Sequence, residues 1–418
     1  MRILCLSKST IPYVDGTSIC VSTFLRALMA AGHDVRLITG KNPHGVVASY
    51  CSGPGWEGVG CATRYIEVPS CSRPGLLKRC ASRVASVVSL YFIPFYEDVE
   101  WIYMAEQVLI DEIDSFRPDV VLTTDPRGDH LAALRARRNC GFLWIVSLDD
   151  PWDRRTMFEK TSWCSLSHLY HRRVISLIAS KADAFIFPSK RLADFEKEFS
   201  YGSWPSLVEV IPHLGTVATK AAPRTPDSFR LAHVGDLRPR GRADCLLPEG
   251  LQKAMRKEPD LRERLDVVFV GQVPEHFICR IQSCIGPAFK WIPPCAYPTA
   301  LEYIASADVN VLIDRKCPVG ILMETKLADY ALVDAPILSL GSRVGNMADL
   351  AEEGQSLHAP SDDADEIAEK VLILYRAWKA GGLAAYSQHD ELAEMCRPET
   401  AAAKFENLFR SIAQGAAS

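Results

Sequence analysis

Two successive blocks of alternating strand and helix patterns most constrain how this chain can fold. Each block contains short apolar runs, which are typical of buried parallel strands, separated by segments with helical spacing. The clearest unit runs from Ile3 to Ile38, where a strand, a loop with Pro12 and Gly16, a helix and a second strand follow in order. Such β-α-β units predict parallel sheets, so we expect an α/β protein with two parallel-sheet domains.

The polar segment 216–228 is the predicted boundary between the two domains. Its sequence, TVATKAAPRTPDS, contains two prolines and no apolar periodicity, which is typical of a linker. We therefore predict an N-terminal domain over residues 1–215 and a C-terminal domain over residues 229–397. The remaining segment, 398–418, has a helical pattern and is expected to pack back toward the first domain.

Composition argues against several classes of protein. The 47 Lys and Arg residues against 51 Asp and Glu residues give a net charge of −4, which argues against a nucleic-acid partner. No apolar run is long enough for a transmembrane helix, and the first ten residues lack the apolar core of a signal peptide. The 14 cysteines contain no CxxC pair. We therefore predict reduced thiols, a cytoplasmic protein and no metal site.

The segment 73–104 allows two interpretations. It places four basic residues beside many apolar and aromatic ones; these are Arg73, Lys78, Arg79 and Arg83. A basic, aromatic-rich helix can lie on an anionic membrane or receive a lipid-linked acceptor. A buried helix with a solvated basic edge fits the same pattern, so a peripheral membrane contact stays open.

Several short motifs follow one another along the chain. In the first half they are Asp15-Gly16, Gly32-His33-Asp34-Val35, Arg117-Pro118-Asp119-Val120-Val121, Pro188-Ser189-Lys190 and Ile211-Pro212-His213. In the second half they are Val234-Gly235-Asp236-Leu237, Arg240-Gly241, Ala307-Asp308-Val309, and Lys326-Leu327-Ala328-Asp329-Tyr330 before Pro336-Ile337-Leu338. This ordered set resembles glycosyltransferase family four, and its last stretch is similar to the "KLxEY" branch of the family. Each motif alone is weak, but the ordered set is specific.

The resemblance implies a GT-B fold, with two Rossmann-like domains and an interdomain cleft. It implies transfer of a hexose-type sugar from a nucleoside-diphosphate sugar to a glycan, lipid-linked or small-molecule acceptor, with retention of the anomeric configuration. The acceptor side would lie on the first domain and the donor side on the second. Members of the family generally need no cofactor or metal ion.

The same resemblance implies a phosphate-binding loop after Val234. Transfer of the sugar builds negative charge on the leaving diphosphate, and cationic side chains stabilise that charge. Arg240 occupies the place of a diphosphate-directed lysine and is the predicted catalytic cation, with Gly235 and Arg238 as further donor-binding residues. The family commonly has Arg directly after the glycine, whereas this chain has Asp236.

A second group of donor-binding residues is implied at a predicted helix start near Thr325 and Lys326. Free N–H groups at the start of a helix favour a phosphate, and in the family a carboxylate on this helix accepts the ribose hydroxyls. Asp329 occupies that position, as Asp where Glu is usual. Many relatives carry another Glu eight residues earlier, where this chain has Ile321. Glu324 fits either a substrate contact or favourable electrostatics at the helix start.

The first domain offers weaker candidates. Asp150, in the sequence DDPW, follows a predicted strand where open α/β sheets bind ligands. In some relatives a similar sequence faces the transferred sugar, so Asp150 is either catalytic or an N-cap of the next helix. Trp152, Arg127 and Asp15 are predicted on the acceptor side, and Gly16 of the first turn is predicted beside the donor.

Two further function classes remain open. A sugar-nucleotide epimerase could use the same fold and would consume the donor without an acceptor. The incomplete paired-Glu motif and the acid after Gly235 also allow a catalytically reduced protein that binds a partner or activates another transferase. A dinucleotide dehydrogenase is disfavoured because no GxGxxG follows the first strand of either block.

Overall fold

The computed structural model forms two compact units, each with its own sheet. It describes residues 1–8, 10, 16–40, 63–66, 99–124, 127–153, 166–200, 204–238 and 241–417. The first unit consists of Met1–Ile211 together with Ala401–Ser418, and the second consists of Pro212–Thr400.

The first unit is built on a parallel sheet of seven strands in the order β3-β2-β1-β4-β5-β6-β7. The strands are β1 (Arg2–Leu6), β2 (Asp34–Gly40), β3 (Thr63–Ile66), β4 (Val120–Thr123), β5 (Trp144–Ser147), β6 (Ala184–Phe187) and β7 (Leu207–Val210). The helices are α1 (Gly16–Ala30), α2 (Val99–Phe116), α3 (Arg127–Ala136), α4 (Leu166–Ala179) and α5 (Lys190–Phe199). Strands β4 and β6 are buried along their whole length, as expected for short apolar runs in a parallel sheet.

The second unit is built on a parallel sheet of six strands in the order β10-β9-β8-β11-β12-β13. The strands are β8 (Phe229–Val234), β9 (Leu265–Val270), β10 (Phe289–Ile292), β11 (Val309–Ile313), β12 (Ile337–Gly341) and β13 (Leu357–Pro360). The helices are α6 (Leu247–Lys257), α7 (Leu261–Arg264), α8 (Glu275–Ile285), α9 (Tyr297–Ala305), α10 (Lys326–Ala331), α11 (Asn346–Glu352), α12 (Ala364–Lys379) and α13 (Asp390–Met395). The last helix, α14 (Pro398–Ala417), returns to the first unit from Ala401 onward.

One face of the second sheet packs against α6, α8 and α12. Phe229 of β8 and Phe269 of β9 project from that face and are fully buried. Phe277 of α8 stacks on Phe269, with ring centroids 5.7 Å apart. Every second side chain of a strand lies on the same face of the sheet. Burial of this apolar face therefore sets the position of each strand, and with it the residues at the strand ends.

The segment predicted as a linker, 216–228, belongs to the second unit. The backbone N–H of Thr216 donates to the Asp329 carboxylate at 2.9 Å, and Arg224 forms an ion pair with Asp308 at 2.6 Å. Within the first unit, α14 is held by Lys404, whose Nζ donates to the Val210 carbonyl at 2.9 Å.

The predicted membrane segment lies mostly outside the described residues, since only 99–104 of the range 73–104 are described. In that part, Trp101 is fully buried in the first unit. No helix in the described part of the chain combines the length and apolarity needed to cross a membrane.

Candidate functional site

Two glycines lie at the carboxyl ends of neighbouring strands in the second unit. Gly235 follows β8 with φ of +140°, and Gly271 follows β9 with φ of +119°. A Cβ atom on Gly271 would lie 2.4 Å from the Gly235 carbonyl oxygen. Only glycine permits this approach of two backbones. The pair therefore leaves bare backbone at the edge where open α/β sheets bind ligands.

Lys326, the first residue of α10, reaches across Gly235. Its Cε and Nζ lie 2.8 Å from the place that a Cβ on Gly235 would occupy. The Nζ atom is buried and has no hydrogen-bond partner among the described residues, and its ion-pair contact with Glu324 Oε2 is long, at 3.9 Å. Burial, together with the nearby Arg242, lowers the pKa of Lys326 to about 8. A buried ammonium without a partner is costly, and a bound anion would offset that cost.

Three buried side chains surround this ammonium. Arg242 pairs with Glu324 and donates to the Asp236 carbonyl at 2.9 Å. Burial and the adjacent Glu324 raise the pKa of Asp314 well above its usual range. Burial opposes ionisation of Glu324, but Arg242 and Lys326 lower its pKa. Glu324 is the ion-pair partner of both Arg242 and Lys326. Two cations on one carboxylate form a site that suits an anionic ligand.

Arg238 is occupied by its neighbour Asp236. Its Nη2 donates to Asp236 Oδ2 at 2.7 Å, and its Nε donates to Oδ1 at 3.0 Å. Although partial burial opposes it, this pairing lowers the pKa of Asp236. The predicted catalytic cation, Arg240, lies outside the described residues. Of the three cations predicted for the donor, the structure brings Lys326 against Gly235 and ties Arg238 to a carboxylate.

Asp329, on α10, is buried and only partly satisfied. Its Oδ1 accepts hydrogen bonds from the Tyr297 hydroxyl at 2.7 Å and from the Thr216 N–H at 2.9 Å. Among the described residues, no hydrogen bond to its Oδ2 is present. Burial raises the pKa of Asp329 to about 7. One carboxylate oxygen is therefore held by the protein while the other remains for a hydroxyl donor.

Thr325 lies directly before α10 in a helical conformation, and its side chain caps no backbone N–H of that helix. The helix has six residues. The phosphate cradle expected from its first N–H groups stays a prediction. The cation at its start, by contrast, has a definite position against Gly235.

Two candidates of the first unit, Asp150 and Trp152, follow β5. The Trp152 N–H donates to Glu196 Oε1 at 2.8 Å, and the Trp152 side chain is 1% exposed. The Arg127 guanidinium lies 5.8 Å from the Trp152 ring centroid, and Asp150 is half-buried. Gly16 begins α1, whereas Asp15 lies outside the described residues. The acceptor-side roles of these residues stay predictions.

Asp129 near this group is a structural residue of the first unit. It is fully buried, and its two oxygens accept from Trp101 Nε1 at 2.7 Å and from the Lys8 N–H at 2.8 Å. Sequence reasoning missed Asp314 and Tyr297 in the second unit. A usable signal existed for Asp314, because it directly follows β11 at the ligand-binding edge of the sheet.

Comparisons with known proteins bear on the family and the fold of this chain. Residues 15–213 match the model of the glycosyl transferase 4-like domain, which covers just under half of the chain. Comparison with curated protein sequences gives no significant match.

Solved structures match over the whole chain at low sequence identity. Sucrose-phosphate synthase from Thermosynechococcus elongatus is 16% identical, with a TM-score of 0.69 and 100% of both chains covered. HepE from Anabaena, in complex with UDP and glucose, is 14% identical, with a TM-score of 0.63 over 98% of this chain and 100% of its own. A putative UDP-N-acetylglucosamine 2-epimerase from Listeria monocytogenes is 11% identical, with a TM-score of 0.62 over 99% and 97%.

The two parallel sheets and these structural likenesses define the chain as a GT-B protein with two Rossmann-like domains. The predicted fold is thus confirmed. The chain carries a glycosyl transferase 4-like domain over residues 15–213, and the resemblance to glycosyltransferase family four is confirmed with it.

Proposed function

We propose that this protein is a glycosyltransferase that moves a hexose-type sugar from a nucleoside-diphosphate sugar to a glycan, lipid-linked or small-molecule acceptor, with retention. The observation that carries the proposal is the buried Lys326 ammonium, which lies against the bare backbone of Gly235 and has no hydrogen-bond partner in the described ranges of the chain. The glycosyl transferase 4-like domain in the first half of the chain supports the same reaction class.

The chemical argument concerns the leaving group. When the bond from the sugar to the diphosphate breaks, negative charge grows on the diphosphate oxygens. A cation that is already fixed and desolvated stabilises that charge without reorganising. Lys326 meets this requirement, since Glu324 pairs closely with Arg242 and makes only a long contact with Lys326, at 3.9 Å, which leaves the ammonium available to the ligand. Arg240 is proposed to add a second cation from the loop after β8.

Asp329 is proposed to bind the ribose. Its Oδ2 can accept from a sugar hydroxyl while Tyr297 and Thr216 hold Oδ1 in place. A carboxylate fixed by two protein donors orients a ligand with little loss of side-chain entropy. In the first domain, Asp150 is proposed as the residue that faces the transferred sugar.

The first test measures binding of nucleoside diphosphates and of inorganic pyrophosphate by calorimetry. The substitution Lys326→Met should weaken the binding of both ligands about 10- to 100-fold, the usual cost of losing a charged hydrogen bond. Lys253→Met is the matched control, because Lys253 pairs with Asp365 on the surface of the same unit. Unchanged affinity in the Lys326→Met variant would overturn the proposed site.

The second test separates the alternatives by following sugar nucleotides and free diphosphate, with and without acceptor extracts. A transferase releases diphosphate in step with acceptor modification. An epimerase converts the donor sugar with no acceptor present. Tight binding without any turnover would favour the catalytically reduced partner protein, an outcome that the Asp236–Arg238 pair keeps open.

A further inference from the structure

Trp291 is a large apolar side chain left exposed at the edge of the second sheet. It belongs to β10, the outermost strand beside β9, and is 42% exposed. Its indole N–H donates to the Gly271 carbonyl at 2.9 Å. The indole is therefore fixed at one edge, while a large part of its surface faces solvent.

The group that fixes this indole belongs to the candidate phosphate site. Gly271 lies against Gly235, since a Cβ on Gly271 would meet the Gly235 carbonyl oxygen at 2.4 Å. Gly235 in turn lies against the Lys326 ammonium, 2.8 Å from its own missing Cβ. An unbroken series of contacts thus joins an exposed aromatic ring, two bare backbones and the buried ammonium of Lys326.

The chain leaving β10 also connects Trp291 with the carboxylate proposed for the ribose. Six residues after Trp291, Tyr297 begins α9 and donates its hydroxyl hydrogen to Asp329 at 2.7 Å. A nucleoside diphosphate carries base, ribose and phosphates in that order. In the second unit, the ring is linked to the ammonium through Gly271 and Gly235, and to the carboxylate through the stretch 291–297.

We propose that Trp291 is the platform on which the nucleobase of the donor stacks. This inference rests on the proposed function, because it assumes that the diphosphate binds beside Lys326. Every nucleobase has a π-face, and stacking on an aromatic side chain tolerates any base. Trp291 therefore supplies affinity for the nucleoside and leaves the choice of base to hydrogen-bonding groups elsewhere.

The experiment compares ligands with and without a base on the same protein. Calorimetry is run with UDP, ADP, GDP and inorganic pyrophosphate on the full chain and on its Trp291→Ala variant. We expect each nucleoside diphosphate to bind roughly 10-fold more weakly or worse in the variant, the usual cost of losing a stacking ring. Pyrophosphate should bind equally well, because it makes no contact with the ring.

Two further variants keep the test sharp. Trp291→Phe restores a stacking face without the indole N–H and should recover most of the nucleotide affinity. Tyr103→Ala removes an aromatic of similar exposure, 46%, from the first unit and should change nothing. Unchanged thermal unfolding and pyrophosphate binding in Trp291→Ala show that the site is still folded.

Each contrary outcome has a separate meaning. Nucleotide affinity that survives Trp291→Ala overturns the platform and leaves the proposed function standing. An equal loss for pyrophosphate also overturns it, since Trp291 would then act only by holding Gly271. A wild-type protein that binds neither pyrophosphate nor any nucleotide overturns the proposed function, and the platform with it.

Discussion

The two units place polar side chains at equivalent edges of their sheets but satisfy them differently. In the first unit, the two oxygens of Asp129 accept from the Trp101 indole N–H and from the Lys8 backbone N–H. In the second unit, the Lys326 ammonium is also buried, but it has no hydrogen-bond partner within the described part of the chain.

The difference separates structural from ligand-binding polar groups. A buried group whose hydrogen bonds are all made within the protein stabilises the fold and gains nothing from a ligand. A buried charge without a partner costs stability, and it persists in a folded protein where a ligand completes it. The contrast therefore predicts opposite effects on stability when the two kinds of residue are removed.

The largest effect is expected from Asp129→Ala in the first unit. The variant leaves the Trp101 indole N–H and the Lys8 N–H buried without an acceptor, so the free energy of unfolding should fall by about 3 kcal/mol. Chemical denaturation measures this loss. Asp194→Ala is the control, because Asp194 pairs with Lys190 on the surface and its loss should cost under about 0.5 kcal/mol. Equal effects in the two variants would contradict the contrast.

A gain in stability is expected from Lys326→Met at pH 7. Burial lowers the pKa of Lys326 from 10.5 to about 8, so the unfolded chain holds this proton more tightly than the folded one. The charged form thus destabilises the protein at pH 7, and the variant should unfold with a free energy higher by on the order of 1–3 kcal/mol.

The pH dependence of that gain gives its control. As pH rises through about 8, the folded wild-type protein loses the proton and regains stability, up to the ordinary pKa of 10.5. The advantage of Lys326→Met should therefore shrink across that window. Lys253→Met should show no such trend. A stability loss in Lys326→Met at pH 7 would place Lys326 with the satisfied groups of the first unit.

The smallest effect is expected from Asp236→Asn. This change removes a negative charge beside the phosphate site and releases Arg238 from its paired hydrogen bonds. Affinity for nucleoside diphosphates should rise about 3- to 10-fold, a modest change because both side chains are partly exposed to solvent.

Two comparisons interpret that result. Asp362→Asn, which breaks the surface pair with Lys316, should leave the affinity unchanged. The double variant Asp236→Asn with Arg238→Ala separates the removed charge from the released guanidinium. A fall in affinity for Asp236→Asn would mean that Asp236 holds Arg238 in place for the ligand.

The sequence predicted the strands well because buried parallel strands leave an unbroken apolar signature. The apolar run Phe229–Val234 forms β8, and the apolar run Val309–Ile313 forms β11. The sequence analysis assigns no element to the stretches that form α6 (Leu247–Lys257) and α8 (Glu275–Ile285). In the structure, both helices cover the apolar face of the second sheet.

Several residues of the donor site could be predicted from the sequence, but the contacts between them could not. Motif position alone selected Gly235, Lys326 and Asp329. It also selected Arg238, although a carboxylate two residues away holds that guanidinium. Trp291 carried no motif, and its hydrogen bond to Gly271 connects it with the site.

The sequence by itself determined that this chain folds as two parallel-sheet domains. Strands and helices can be predicted from apolar periodicity and turn residues, because both are visible within a short window of the sequence. Only the tertiary structure decided which buried charges are neutralised. Arg242 meets Glu324 from 82 positions away in the sequence, and Asp314 and Lys326 lie beside that pair. Their pairing depends on distances of a few ångströms, and Coulomb energy in a desolvated site varies steeply over such distances.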